Sequence, residues 1–330
     1  MTGLDNPRGL DFGADGALYV TEGGRGGTSL PCRVSRGMTQ CFGATGAISR
    51  LRHGVQSKWV TGLPSLAPAN GDEAEGGPQD ISFVGQPFFG PGDAYVTMGL
   101  GGSPAGRAAL GDAGLMMGKL WKLGSIGGLQ EVADLAAYEG SVNPAGGPID
   151  SNPYGVLALP RWRVVAEAGG NAVLSVSGRS PSPLAVFPAR ANPTPIGPPF
   201  VDSVPTGIAV GPDGALYVSE LTGVPFLTGF ARIHRIDPDG TTSVYASGLT
   251  TVVELAFGGD GRLYALQHAS CGPFFACPGS IVRVEASAPH TVIYGGLTRP
   301  SAFTIGADGA FYVSNNGASA AVGEVLRIAP

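Results

Sequence analysis

The sequence predicts an all-β fold: a six-bladed β-propeller made of four-stranded antiparallel blades. The first observation is a repeated phrase, found as NPRGLDFGADGALYVTE from Asn6, VPTGIAVGPDGALYVSE from Val204, VVELAFGGDGRLYALQ from Val252 and RPSAFTIGADGAFYVSN from Arg299. Asp213, Asp260 and Asp308 in these copies lie 47 and 48 residues apart, and such a period with β signals is typical of propeller blades. The second is a content of 55 Gly and 28 Pro in 330 residues, which favours turns over helices.

Each copy has the chemistry of an antiparallel blade. In the copy from Val204, GIAV and ALYVS are short β-rich runs, and GPDG between them is a hairpin turn. Pro212 sets φ at the first central position, Asp213 accepts local amide hydrogen bonds, and Gly214 supplies the positive φ. ARIHRID and TTSVYASGL follow as the third and fourth strands.

The two ends of the chain are predicted to share one blade. The last copy stops at its third strand, GEVLRIAP, while TGL at Thr2–Leu4 matches the ends of fourth strands such as WVTGL and YASGL. The N-terminal residues should therefore complete the last blade and close the ring, and we expect more of that strand, with any export signal, to lie upstream. We predict one propeller domain over 1–330, with approximate blades at 5–63, 64–135, 150–188, 204–249, 250–297 and 298–330 plus 1–4.

Composition narrows the possible partners. The formal net charge is −5 with no cluster of Lys or Arg, which argues against a nucleic-acid partner. No apolar run approaches the roughly 18 residues that a membrane-spanning helix needs. A monomer with a small-molecule ligand is the expectation.

Four cysteines form two pairs that are close in sequence, Cys32 with Cys41 and Cys271 with Cys277. Their spacing fits no zinc motif, and two disulfides in an exported protein are favoured over free thiols. Four cysteines allow three connectivities, so this pairing is inferred from proximity alone. It predicts a secreted or periplasmic protein.

The long loops are predicted to lie on one face of the ring. Turns between the first and second strands, and between the third and fourth, are mostly four residues long, with GQPFFGPGD in blade 2 as the exception. The long loops lie on the other side, at 23–46, 64–78, 99–117, 136–151, 188–203, 221–230 and 268–279. A scaffold with one elaborated face usually binds its ligand there.

Polar residues open the innermost strands on that face, at the mouth of the central channel. They are Arg8, Gln79 with Asp80, Asn152 with Tyr154, Thr206, Glu254 and Ser301. Carboxylates in otherwise apolar strands need a partner. Two carboxylates with an Asn carbonyl suit Ca²⁺ or another hard divalent cation, so Asp80, Asn152 and Glu254 are the predicted metal ligands. An Arg8–carboxylate network that plugs the channel is the structural alternative.

A second ring of polar residues lies where the second strands end, and each member is expected to cap loop backbone. This ring contains Glu22, Glu167 with Asn171, Glu220, Gln267 with His268, and Asn315 with Asn316.

Three stretches, DSNPYGVLALP, VPTGIAVGPDGALYVSELTG and PCRVSRGMTQCFGATGAISRL, resemble the ScyD/ScyE family of secreted bacterial proteins, which is related to NHL-type six-bladed propellers. The resemblance covers essentially the whole chain and implies an extracytoplasmic propeller. This sequence has Gln79 where the family often has His. The chain is also similar, more distantly, to gluconolactonase, regucalcin and strictosidine-synthase-like propellers. That similarity implies a divalent ion or substrate at the channel mouth, with Asp80, Asn152 and Glu254 at the matching positions.

Two functions remain open from the sequence. The first is a metal-assisted, lactonase-like hydrolase, a lyase or an isomerase acting on an organic or secondary-metabolite substrate. Arg8 would stabilise developing negative charge, and Tyr154 or Glu220 would transfer protons. The second is a non-catalytic propeller that displays its loops to a ligand or protein, since no nucleophile motif is present.

Overall fold

The computed structural model describes residues 1–35, 37–70, 72–85, 90–124 and 128–329. Their sheets form the predicted six-bladed β-propeller of four-stranded antiparallel blades. The chain begins with β1 (Thr2–Leu4), which joins the last blade. Blade 1 contains β2 (Pro7–Phe12), β3 (Leu18–Glu22), β4 (Cys32–Ser35), β5 (Met38–Arg52) and β6 (Val55–Pro68). β2, β3, β5 and β6 are its four blade strands, and β4 is an additional short strand that pairs with the start of β5.

Three further sheets form blades 2 to 4, with loop elements between them. Blade 2 contains β7 (Gly77–Val84), β8 (Asp93–Gly99), β9 (Lys119–Leu123) and β10 (Leu129–Asp134), and its loops carry α1 (Pro104–Ala108), a 3₁₀ turn (Gly111–Gly114) and α2 (Leu135–Val142). Blade 3 contains β11 (Pro153–Ala158), β12 (Arg163–Glu167), β13 (Ala172–Ser177) and β14 (Ser180–Val186), followed by the hairpin β15 (Arg190–Ala191) and β16 (Phe200–Val201). Blade 4 contains β17 (Pro205–Val210), β18 (Leu216–Glu220), β19 (Ala231–Ile236) and β20 (Thr242–Leu249).

The last two blades finish the ring. Blade 5 contains β21 (Val252–Phe257), β22 (Leu263–Gln267), β23 (Gly279–Arg283) and β24 (Thr291–Leu297). Blade 6 contains β25 (Ala302–Ile305), β26 (Phe311–Asn315) and β27 (Gly323–Ile328), with β1 as its fourth strand. The inner strands contact one another in the order β2, β7, β11, β17, β21 and β25, and β25 returns to β2.

Apolar side chains fill the space between neighbouring blades, because each sheet packs between the two blades beside it. Tyr19 and Ile48 of blade 1 pack with Val96 of blade 2, for example. An equivalent apolar cluster lies between each of the remaining pairs of neighbouring blades. Ring closure depends on this packing: the Leu4 side chain is completely buried between blades 6 and 1, as the sequence predicted for the N-terminal residues.

The repeated DGxLY phrase has a local physical cause. In the turn of blade 4, the Asp213 side chain accepts the amide of Ala215 at 3.2 Å and the Tyr217 hydroxyl at 3.0 Å, while Gly214 has φ +78°. The same two contacts recur at Asp15, Asp260 and Asp308. The aspartate therefore fixes the turn and orients a tyrosine four residues later, also in blade 6, where the phrase reads DGAFY.

Two predicted boundaries differ from the structure. Part of the loop predicted at 23–46 is β structure, because β4 and the start of β5 pair in a hairpin across Cys32 and Cys41. β6 continues to Pro68 and pairs with β5, so 64–68 extend blade 1 rather than start blade 2. Arg36 and Gly71, in predicted loops, lie outside the described residues. None of the described helices is long and apolar enough to cross a membrane.

Candidate functional site

A cavity of about 120 Å³ opens at the mouth of the channel. Arg8, Gln79 and Tyr154 follow the first proline of their inner strands, so they occupy one position of the repeat. All three line the cavity together with Asn152. The structure therefore brings together Arg8, Asn152 and Tyr154 of the predicted site.

Arg8 is anchored by a loop rather than by the channel carboxylates. Its Nη1 lies 3.1 Å from Glu73 Oε1, and its Nη2 donates to Ala74 O at 2.7 Å. Arg8 therefore pairs with the loop residue Glu73, and the described hydrogen bonds of Asp80 and Glu254 go to backbone amides rather than to Arg8, as the alternative network had predicted.

Three buried polar atoms of the cavity wall have no hydrogen-bond partner among the described residues. They are Arg8 Nε, Gln79 Oε1 and Gln40 Oε1. A buried polar atom without a partner costs about 1–3 kcal/mol, and native proteins contain few of them. One donor and two acceptors around one small cavity are the feature expected of a binding site.

Tyr154 crosses the channel from blade 3 to blade 6. Its hydroxyl lies 3.4 Å from Ser301 O, on the opposite side of the ring. Burial raises the pKa of the Tyr154 hydroxyl above its usual value, so this group stays protonated and can donate a hydrogen bond at neutral pH.

Asp80 and Glu254 stand at the repeat position that glycine holds in blades 1, 3 and 4. Asp80 Oδ1 accepts the amide of Ile81 and Oδ2 accepts that of Val156 in blade 3, both at 2.8 Å. Glu254 Oε1 accepts the amide of Leu255 at 3.0 Å. Asp80 therefore also joins two inner strands.

Asp11 is a third acid of the channel and was missed by the sequence analysis. Its carboxylate accepts the amide of Phe12 at 2.8 Å and that of Phe83 in blade 2 at 2.9 Å. Burial raises the pKa of Asp11 to about 6 and that of Asp80 to about 7, and it raises the pKa of Glu254 well above its usual value. Repulsion among these carboxylates adds to the shifts of Asp80 and Glu254. The only sequence signal for Asp11 was an acid in an apolar strand, the same signal that marked Asp80.

The predicted metal ligands do not form a ready cation site. Both oxygens of Asp80 accept backbone amides, and Asn152 Oδ1 accepts the amide of Leu100 at 3.2 Å. Within the described ranges, no group of three or more His, Cys, Asp or Glu side chains is arranged to hold a metal ion. The donor set therefore does not fit Ca²⁺ as arranged.

Glu220, predicted to transfer protons, has structural partners away from the cavity. It contacts Arg190 Nη2 at 2.5 Å and His234 Nε2 at 2.7 Å, and it accepts the amide of Arg232 at 3.1 Å. In the same ring, Glu167 accepts the Ser151 hydroxyl and the Gly170 amide, each at 2.6 Å. These carboxylates hold loops to blades, as expected for capping residues.

His268 is a further group near the mouth. Its Nδ1 lies 2.9 Å from Pro300 O, and because a carbonyl only accepts, Nδ1 carries the proton and Nε2 has a lone pair. Burial lowers the pKa of His268, while the charges of Glu73 and Arg8 also act on it. The sequence placed His268 on this face but could not distinguish a base from a structural histidine.

Two disulfides, Cys32–Cys41 and Cys271–Cys277, hold loops of this face, which confirms the pairing inferred from proximity. Beside the first, Ser35 donates to Glu75 Oε1 at 2.7 Å, and Glu75 lines the cavity. In the second loop, the Phe275 ring stacks on Phe226 at 4.1 Å and meets His268 edge-on at 4.8 Å.

Comparison with known proteins supports the fold. No family model and no curated protein matches the chain. A solved streptogramin B lyase is 15% identical with a TM-score of 0.51, covering 98% of this chain and 94% of its own. Regucalcin from Agrobacterium tumefaciens, described as a calcium-binding protein, is 11% identical with a TM-score of 0.52, covering 95% and 83%. The PQQ domain of pyranose dehydrogenase from Coprinopsis cinerea is 11% identical with a TM-score of 0.55, covering 100% and 94%. At these identities the likeness establishes the propeller fold alone, and membership of the ScyD/ScyE family stays a prediction.

Proposed function

We propose that this propeller binds a small organic molecule in the mouth cavity and converts it by proton transfer, as a hydrolase, lyase or isomerase. The observation that carries the proposal is the set of unpartnered buried atoms Arg8 Nε, Gln79 Oε1 and Gln40 Oε1. A ligand with one acceptor and two donor groups would satisfy all three.

The side chains of the mouth suit acid–base chemistry on such a ligand. Arg8 Nε–H would donate to a carbonyl oxygen and stabilise negative charge that develops on it. The Tyr154 hydroxyl would donate a second hydrogen bond to the ligand in place of its long, 3.4 Å contact with Ser301 O. His268, whose Nε2 has a lone pair, is the proposed general base, and Tyr154, which lines the cavity and keeps its proton at neutral pH, is the proposed acid.

The proposal also covers where the protein acts and whether its reaction needs a metal ion. Two disulfides favour an oxidising compartment, so we propose a secreted or periplasmic protein acting as a monomer. Calcium binding is known for a protein of the same fold. Because Asp80, Asn152 and Glu254 do not fit a cation as arranged, no step above depends on one.

A non-catalytic binding protein is the second candidate. Phe274 and Val224 expose 55% and 45% of their surface on loops 268–279 and 221–230. Exposed apolar residues on the elaborated face favour contact with a partner or a larger ligand.

The experiment compares two buried glutamines. Gln79→Leu removes an unpartnered acceptor and only one long hydrogen bond, from Nε2 to Glu75 O at 3.5 Å, so the apoprotein should keep its melting temperature or gain stability. Gln267→Leu is the control, because both polar atoms of the Gln267 side chain have a partner: Oε1 accepts the Thr250 amide at 2.8 Å and Nε2 donates to Ser280 Oγ at 3.0 Å. It should lower the melting temperature. Small lactones, esters and hydroxy acids are then tested for a melting shift and for turnover at constant pH.

We expect a ligand that raises the melting temperature of the wild type but not of Gln79→Leu, and turnover that is lost in His268→Gln. Binding that depends on Gln79 without turnover would support the binding protein instead. Ligand shifts unaffected by Gln79→Leu would refute the mouth cavity as the site. A melting shift with Ca²⁺ that disappears in Asp80→Asn would restore the metal hypothesis.

A further inference from the structure

A second binding region lies on the opposite, short-turn face of the ring, around Trp162. Trp162 belongs to the turn between β11 and β12. Its side chain lines a cavity of about 300 Å³ between blades 2 and 3 and another of about 530 Å³ between blades 3 and 4. Both exceed the mouth cavity, and they meet at this one residue. We name the pair the Trp162 groove.

The blade 2–3 half of the groove is basic. Lys122, Arg161, Arg163 and Arg179 line it, with Glu131 as its acid. Lys122 is paired with Asp93 at 2.7 Å, and Arg179 approaches Glu131 only at 3.7 Å. Arg161 is exposed and has no ion pair or hydrogen bond in the part of the chain that the structure describes.

Arg163 adds a buried donor to this half. Its guanidinium lies 3.6 Å over the ring of Tyr95, and Nη1 donates to Leu159 O and Trp162 O. Its Nε is buried without a partner among the described residues. A fixed guanidinium with an unused N–H is a favourable contact for an anionic oxygen.

The blade 3–4 half is apolar. Leu159, Leu184, Val210, Leu216 and Ile236 form its walls with Trp162. Its acids, Asp237 and Asp239, lie in the turn between β19 and β20, and Asp237 is paired with Arg235. The groove is therefore polarised, with positive charge at one end, an apolar middle and negative charge at the other.

We propose that the Trp162 groove binds an amphipathic organic anion, with its acidic head on Arg161, Arg163 and Arg179 and its hydrocarbon body against Trp162 and Leu184. Charge complementarity fixes the orientation, because a head placed at the other end would face Asp237 and Asp239. The apolar half supplies most of the contact area, as in ordinary ligand pockets. This site is separate from the mouth cavity and does not depend on the proposed reaction there.

Decanoate is the probe, and uncharged decanol is the matched control ligand. Binding to the intact protein is measured by titration calorimetry below the aggregation concentration of the probe. Arg161→Gln with Arg179→Gln removes two exposed charges without changing core contacts. Arg262→Gln is the matched protein control, since Arg262 is an exposed arginine, 61% accessible, on the same face of blade 5. Val210→Asp puts a charge into the apolar half at a position that is 40% exposed.

We expect decanoate to bind the wild type at least about tenfold more tightly than decanol, from two charge-assisted contacts. The double arginine variant should lose that preference, Val210→Asp should weaken both ligands, and Arg262→Gln should change neither. Absence of decanoate binding to the wild type would overturn the proposal. So would equal affinity for decanol, or decanoate binding that is unaffected by the double variant.

Discussion

The change in the free energy of unfolding with pH is the sharpest test of whether the buried carboxyl groups are protonated. Burial raises the pKa of Asp80 to about 7 and that of Glu167 to about 8. In the unfolded chain both titrate near pH 4. Between these values the folded protein holds protons that the unfolded chain has released, so the free energy of unfolding must fall as pH rises.

The magnitude follows from linkage. One proton held only by the folded state changes the free energy of unfolding by about −1.4 kcal/mol per pH unit. Asp80 and Glu167 together predict a slope of about −3 kcal/mol per pH unit near pH 6. Glu254, whose pKa is raised by burial and by the Asp80 charge, makes the slope steeper in the same direction, and Asp11, with a pKa of about 6, contributes further at lower pH.

Urea unfolding followed by circular dichroism at about pH 5, 6 and 7 measures this slope. Glu167→Gln keeps the side-chain shape and should make the slope less negative by about 1.4 kcal/mol per pH unit. A free energy of unfolding that is level or rises over this range would refute the reasoning, because it would mean that these carboxylates are ionised and paired. Repeating the series with Ca²⁺ and with chelator tests whether a cation in the channel is that partner, since it would flatten the slope.

Three further substitutions test the ring. Gly9→Ala would place a Cβ 1.9 Å from Oδ1 of Asp80 in the next inner strand, so chemical denaturation should show a free energy of unfolding lower by about 3 kcal/mol. Gly259→Ala is the control: no atom lies within 4 Å of its added Cβ, and it should lower the free energy of unfolding by less than about 1 kcal/mol. Leu4→Ala leaves a cavity at a completely buried position where the ring closes, and the free energy of unfolding should fall by about 2–5 kcal/mol. An unchanged midpoint of chemical denaturation would mean that β1 does not close the ring. Arg190→Ala leaves the buried Glu220 with one cationic partner fewer, and calorimetry should show a loss of about 3 kcal/mol, whereas no loss would contradict the assigned ion pair.

Many of the residues at the channel mouth could be predicted from the sequence, because the repeat fixes the register of the inner strands. Once Pro7, Pro78 and Pro153 are aligned, the next residues Arg8 and Gln79 must occupy equivalent positions around one axis. The same alignment put Asp80 and Glu254 beside them. It could not reveal that Arg8 would pair with Glu73, because that contact comes from a loop with no counterpart in other blades.

The sequence by itself determined the blade count, the DGxLY turns and the shared last blade, because these depend on contacts that are local or repeated. It favoured the two disulfides through the closeness of each cysteine pair in sequence. Only the tertiary structure decided the partners of Glu220, the unused lone pair of His268 and the Trp162 groove. These depend on side chains from different blades and irregular loops, whose distances no periodic pattern specifies. The propeller fixes where each strand begins, while the loops and the gaps between blades decide which polar atoms remain unpaired.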